Sequence, residues 1–171
     1  MAGGLPRPLR TAETASGWPR DWLDFDDYQD VHQRYMEVLY REGIVEDDDL
    51  TFTLSFDPTG QVVKVKLEGQ AVCAYGARVR VLKWMDVRPR GDDRIEVLST
   101  FYQYHAWRPA RGRQREQALL RCDQSHGEPH RHRFDSVGRQ MGCEPLTLDT
   151  MPRLDAFIRE AWEAAAALVP N

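Results

Sequence analysis

Four of the five histidines in this 171-residue chain, His105, His126, His130 and His132, cluster between residues 105 and 132, with Arg121 and Asp123 among them. Histidine titrates near neutral pH and arginine stays charged, so this set contains what metal-free phosphodiester cleavage of RNA requires. One group takes the 2′-hydroxyl proton, another protonates the leaving 5′-oxygen, and a cation holds the charge on the non-bridging oxygens. His130 and His132 stand two apart, which in extended chain turns both to the same side at roughly 6 to 7 Å. Such a pair suits either of two tasks. It can supply two ligands of a divalent metal completed by His126 or Asp123, or an acid and a base on either side of one phosphate. Spacing alone does not choose between them. His126 and His130 have the i, i+4 spacing of helical zinc ligands, but Gly127 and Pro129 between them disfavour a helix. His32 is isolated from the cluster and reads as a packing histidine.

The elements that must position these residues are short strands. Over Phe101 to Trp107, alternation puts Gln103, His105 and Trp107 on one face and Tyr102, Tyr104 and Ala106 on the other. On the likely partner strand Leu119, Arg121 and Asp123 share one face, and Leu120 and Cys122 the opposite, core-facing one. A cooperating register then stands Arg121 and Asp123 beside Gln103 and His105. Upstream, Phe52, Leu54 and Phe56 alternate with polar residues, and Asp57-Pro58-Thr59-Gly60 turns the chain into Val63, Val65 and Leu67, a hairpin. Further strands are expected over about Arg78 to Val87, Arg94 to Trp107 and Gln117 to Asp123, with Pro89-Arg90-Gly91-Asp92 as a separator. An amphipathic helix capped by Asp26 or Asp27 carries Tyr28, Val31, Tyr35, Val38 and Leu39 on one stripe and ends near Gly43. A second, opened by Asp149 or Thr150 with Pro152 in its first turn, carries Leu154, Phe157, Ile158, Ala161, Trp162, Ala165 and Leu168. Between the first helix and the sheet, Glu46 to Asp49 reads as a solvated linker. The fold class is therefore α+β: a two-layer domain over residues 21–169, with an antiparallel five- to six-stranded meander packed by an N-terminal and a C-terminal helix. Residues 1–20, rich in Gly and Pro, read as a flexible arm.

Charge separates the chain into two halves. Acids dominate Asp21 to Asp57, whereas from Arg108 to Arg139 the bases are all arginines, within a formal net charge of −4. Arg108, Arg111, Arg113, Arg115, Arg131 and Arg133 are the candidate nucleic-acid contacts, because guanidinium groups bind phosphate in two-point fashion. The acidic first helix is a candidate partner or dimer contact. Three widely spaced cysteines, Cys73, Cys122 and Cys143, argue against a disulfide framework or a cysteine-based zinc site and read as buried or half-buried apolar residues. No apolar run approaches the roughly 18 to 20 residues of a membrane span, and Met1 to Arg20 lack the apolar h-region of a secretory signal, so a cytoplasmic protein is expected. No glycine loop of the dinucleotide or P-loop type is present, and no cofactor is expected. A metal, if bound, would be held by His126, His130 and His132.

The run Tyr102-x-Tyr104-His105, then Arg121-x-Asp123-Gln124, His126 and Pro129-His130-x-His132, followed by an amphipathic helix, resembles the TumE-type toxins of prokaryotic toxin–antitoxin operons. The resemblance covers about Leu98 to Ala167. It implies a ribonuclease neutralised by an antitoxin encoded beside it, with function carried by His105, Arg121, Asp123, His126, His130 and His132. Gln124 stands where that family often has asparagine, and the arginine-rich hairpin tip is longer. The expected function is a toxin-like ribonuclease acting on RNA. The alternatives are a non-catalytic RNA- or protein-binding module and a His-ligated metal enzyme.

Overall fold

A computed structural model describes residues 22–113, 115–124, 127–147 and 150–169. The expected arm over residues 1–20, His126 and Asp149 lie outside them. The elements run β1 (Leu23–Asp24), α1 (Phe25–Arg41), β2 (Val45–Asp48), β3 (Thr51–Phe56), β4 (Val62–Cys73), β5 (Arg78–Gly91), β6 (Arg94–Arg108), β7 (Gln117–Asp123), β8 (His130–Phe134), β9 (Gln140–Pro145) and α2 (Leu154–Ala166). The fold is α+β: an antiparallel nine-stranded sheet in the order β2-β4-β5-β6-β7-β8-β9, with β3 also on β4 and β1 also on β6, packed by two helices.

Nine strands stand where the sequence suggests five or six. The additional ones are β1, β2 and β9, which are too short or too polar to show a period of two. The Glu46 to Asp49 segment, expected as a linker, is largely β2, because backbone pairing needs no apolar side chain. Two of its four carboxylates are occupied: Tyr40 Oη donates to Asp48 at 2.5 Å, and the Gln70 amide donates to Asp49 at 2.5 Å. Gly69, at φ +140°, is required there, since a Cβ would lie 2.7 Å from the Asp49 carbonyl oxygen. Likewise the Pro89 to Asp92 separator is mostly strand. β5 continues to Gly91, and the turn falls on Asp92 and Asp93, both at positive φ.

Asp24, not Asp26 or Asp27, caps α1. Its carboxylate accepts from the Asp26 and Asp27 amides and from the guanidinium groups of Arg90 and Arg94, at 2.9 and 2.6 Å. Burial alone would raise its pKa, but those donors together hold it below the ordinary carboxylate value. Met36 rather than Val38 joins the buried stripe with Phe25, Tyr28 and Leu39. α2 begins at Leu154, later than expected. Thr150 instead bonds Thr147, and no side chain caps the helix.

The long strands β4, β5 and β6 form the spine, and their alternation decides which face is core. Val65, Leu67, Val79, Val81, Met85, Tyr102, Tyr104 and Ala106 are buried on one side, as are Phe157, Ile158, Ala161 and Ala165 of α2. Tyr104 meets Phe157 at 5.4 Å between ring centroids, so α2 lies on this face. The same face receives α1 through Lys83, a buried lysine whose ammonium donates to Tyr28 Oη at 2.6 Å. Each fully buried aromatic or aliphatic side chain contributes roughly 1.5 to 3 kcal/mol. Both helices thus occupy one face. Among the described residues no helix covers the other face, and none is long and apolar enough to cross a membrane.

Candidate active site

Register across β5 to β9 builds the site on the face away from the helices. His105 pairs with Arg121, Arg121 with His132, and His132 with Cys143, while Arg80 pairs with His105 on the other side. Directly opposed residues in a sheet share a face, so these five stand in one row. The adjacent row, two residues along each strand, is Gln103, Asp123 and His130. The alternation expected for β6 and β7 therefore delivers Arg121 and Asp123 beside Gln103 and His105.

Asp123 is the anchor of this arrangement. It is fully buried, ion-paired with Arg121 Nε, and 3.0 Å from His130 Nε2. His130 also donates from Nδ1 to the Glu128 carbonyl at 2.9 Å. A ring engaged at both nitrogens is fixed in orientation. Pairing through Nε leaves the terminal nitrogens of Arg121 for a further anion.

That leaves His105 and His132, one strand to either side of Arg121, as the groups able to move protons. Both are held below the ordinary histidine pKa. Burial is the largest cause for each, followed by Arg121 for His105 and by the neighbouring His130 ring for His132. Both are thereby biased toward the neutral, proton-accepting form. His105 packs 5.3 Å from the Trp107 ring, which also carries Arg80 at 5.5 Å. His132 meets His130 edge-on at 4.7 Å; the Gln140 side chain bonds the ring and acts to raise its pKa, while its Nδ1 is buried without a hydrogen-bond partner among the described residues.

The expected arginine contacts divide. Arg131 and Arg133 face the helix side, where Arg131 binds Glu160 of α2 at 2.7 Å and Arg133 binds Glu144 at 2.7 Å. Alternation along β8 forces this, since both lie out of phase with His130 and His132. Arg108 and Arg111, with Arg78, instead line an open groove of about 430 Å³ beside Tyr75 and Glu46. Arg113 and Arg115 are exposed near the tip. His126, expected in the site, lies outside the described residues. His32 stands apart, packed 5.3 Å from Phe52.

Two residues of the site are not singled out by sequence reasoning. Arg80 lies ahead of the arginine-rich segment and belongs to no motif. Cys143, expected to be buried or half-buried, is exposed on β9. The signal that points to it is the Asp135-x-x-Gly138 turn, which repeats the Asp57-x-x-Gly60 pattern of the first hairpin. No protein-family model, curated protein or solved structure matches this chain.

Proposed function

We propose that the protein is a metal-independent endoribonuclease that cleaves RNA by transphosphorylation on the face formed by β5 to β9. The observation that carries this reading is the row His105, Arg121, His132, in which two proton carriers flank one anion clamp. One histidine takes the proton of the 2′-hydroxyl as its oxygen attacks phosphorus. The other, which must carry a proton when RNA binds despite its lowered pKa, gives it to the departing 5′-oxygen, leaving a 2′,3′-cyclic phosphate and a free 5′-hydroxyl. Arg121 neutralises the charge that develops on the non-bridging oxygens, with the His130 ring fixed beside it by Asp123. Asp123 is a positioning residue, buried where it sets the orientation of both. Arg80 adds positive charge in the same row, and Arg78, Arg108 and Arg111 add more in the neighbouring groove, for the flanking phosphates.

The resemblance to TumE-type toxins supports placing this activity in a cytoplasmic toxin–antitoxin pair, with an antitoxin protein as partner. In that setting the acidic α1 is a docking surface, for the antitoxin or for a second copy of the chain.

The test is incubation of chelator-treated protein with a mixed cellular RNA pool, comparing wild type with His105→Ala and His132→Ala. Each substitution is expected to slow cleavage by roughly 10² to 10⁴, the usual contribution of a positioned acid or base. Cleaved fragments should carry 2′,3′-cyclic phosphate ends. RNA left intact by the wild type, while still bound in a salt-dependent manner, would replace the enzyme with a non-catalytic RNA-binding module.

A further inference from the structure

We propose that His130, His132 and Cys143 form a binding site for a thiolate-preferring divalent cation of the zinc class. We infer further that its occupancy withdraws His132 from RNA cleavage; this second part rests on the function proposed above.

One ligand atom from each of the three residues lies within 4.8 Å of the other two. In a tetrahedral zinc site, bonds of about 2.0 to 2.1 Å to nitrogen and 2.3 Å to sulfur place ligand atoms roughly 3.3 to 3.7 Å apart. The pairs therefore need to close by no more than about 1 to 1.5 Å, within the reach of side-chain rotation. The scaffold already aims the groups together. His132 and Cys143 are direct cross-strand partners, and His130 is two residues along the same strand, its ring 4.7 Å from that of His132.

Each ligand has an independent mark. His132 Nδ1 is buried with no hydrogen-bond partner among the described residues, and a bound cation is one way such an acceptor is satisfied. Cys143 is an exposed free thiol, whereas Cys73 and Cys122 are buried. His130 is backed by Asp123 at one nitrogen and the Glu128 carbonyl at the other. Either of these bonds, retained while the opposite nitrogen binds metal, supplies the outer partner that metal-ligating histidines ordinarily have. Two imidazoles and one thiolate form a borderline-soft set that favours zinc and disfavours magnesium or calcium. Three protein ligands leave a fourth position for water.

Competition follows from the shared histidine. His132 flanks Arg121 in the cleavage row, and a nitrogen bound to metal cannot exchange a proton with RNA. The cation would hold the site closed in the resting protein and release it when removed, an inhibition acting through the same side chain as the chemistry.

The experiment uses reduced, chelator-treated, untagged full-length protein titrated with cobalt(II), then with zinc(II). Wild type is expected to develop thiolate-to-cobalt charge-transfer absorption at one equivalent, which zinc abolishes. Cys143→Ser should lose that absorption and bind zinc more than about tenfold more weakly, while His132→Gln should lose the tetrahedral cobalt spectrum with the thiol present. Circular dichroism confirms that both variants are folded. Absence of the charge-transfer absorption in wild type, or its persistence in Cys143→Ser, would overturn the site. Cleavage of RNA is then compared with and without one equivalent of zinc within each protein. Suppression in wild type that largely disappears in Cys143→Ser supports the inhibition, and unchanged or faster cleavage by wild type with zinc would sink it. Should no form of the protein cleave RNA, the ribonuclease reading fails and the cobalt spectra still decide the metal site.

Discussion

At the residue scale, the histidines fall into distinct environments that composition cannot separate. His130 is committed to two acceptors, His105 and His132 flank an arginine, and His32 packs against Phe52 under α1. His32 is also the clearest titrating group. Burial, then the nearby Lys83, lower its pKa from 6.5 to about 4, with Asp48 opposing. The sign follows directly. The folded state favours the neutral ring, so as pH falls the unfolded chain takes up the proton first. The stabilisation is complete above about pH 6.5 and is lost as pH falls through about 4. At about 1.4 kcal/mol per unit the whole shift sets an upper bound of about 3.5 kcal/mol, and residual hydration of the half-buried ring reduces this to roughly 1 to 2. Urea denaturation of wild type and His32→Gln at neutral pH and near pH 4.5 measures it. The wild type should lose about that much more stability than the variant between the two conditions.

At the element scale, the hairpin of β8 and β9 determines whether Cys143 reaches His132. Its turn repeats the chemistry of the β3–β4 turn: in each, an aspartate carboxylate accepts two backbone amides and a glycine amide closes back on the aspartate carbonyl at 3.0 Å. Gly138 sits at φ +80°, and a Cβ there would lie 3.0 Å from the Ala118 amide nitrogen. Gly138→Ala is expected to destabilise the hairpin by about 1 to 2 kcal/mol, the cost of a left-handed alanine. Hydrogen exchange should report it as faster exchange in β8 and β9 with little change in β4 and β5. Exchange accelerated equally across the whole sheet would show that the hairpin does not open by itself. The first hairpin was legible because Phe52, Leu54, Val65 and Leu67 alternate beside the turn. The second was not, because Gln-Met-Gly-Cys-Glu-Pro has no period and β9 is wholly exposed. The same cause hid β2, whose pairing rests on backbone bonds and carboxylates. By contrast β5, β6, β7 and α2 declared themselves, since each buries one face and its sequence records which. The side on which Arg121 and Asp123 lie was legible for that reason. Which histidines keep a free nitrogen was not, because this depends on the Glu128 carbonyl and on three-strand register.

At the scale of the whole molecule, the sheet divides positive charge between two faces that the sequence merges into one arginine-rich segment. Arg80 stands exposed on the site face, over the ring of Trp107. Arg131 faces the helices, mostly buried, and ties β8 to Glu160 of α2. If RNA approaches the site face, the two arginines must answer different measurements. Arg80→Gln should weaken RNA binding and lower the slope of log affinity against log salt by about 1, because one fewer phosphate is neutralised, with stability unchanged. Arg131→Gln should leave that slope intact and reduce stability by roughly 1 to 2 kcal/mol, because Glu160 is deprived of its partner and the Cys122 thiol of a donor. Binding isotherms at several salt concentrations, paired with thermal melts, separate the two effects. The reverse pattern, a reduced salt slope for Arg131→Gln and none for Arg80→Gln, would put RNA on the helix side. His105, Arg121 and His132 would then face away from it, and the chemistry assigned to their row would fall with the docking direction.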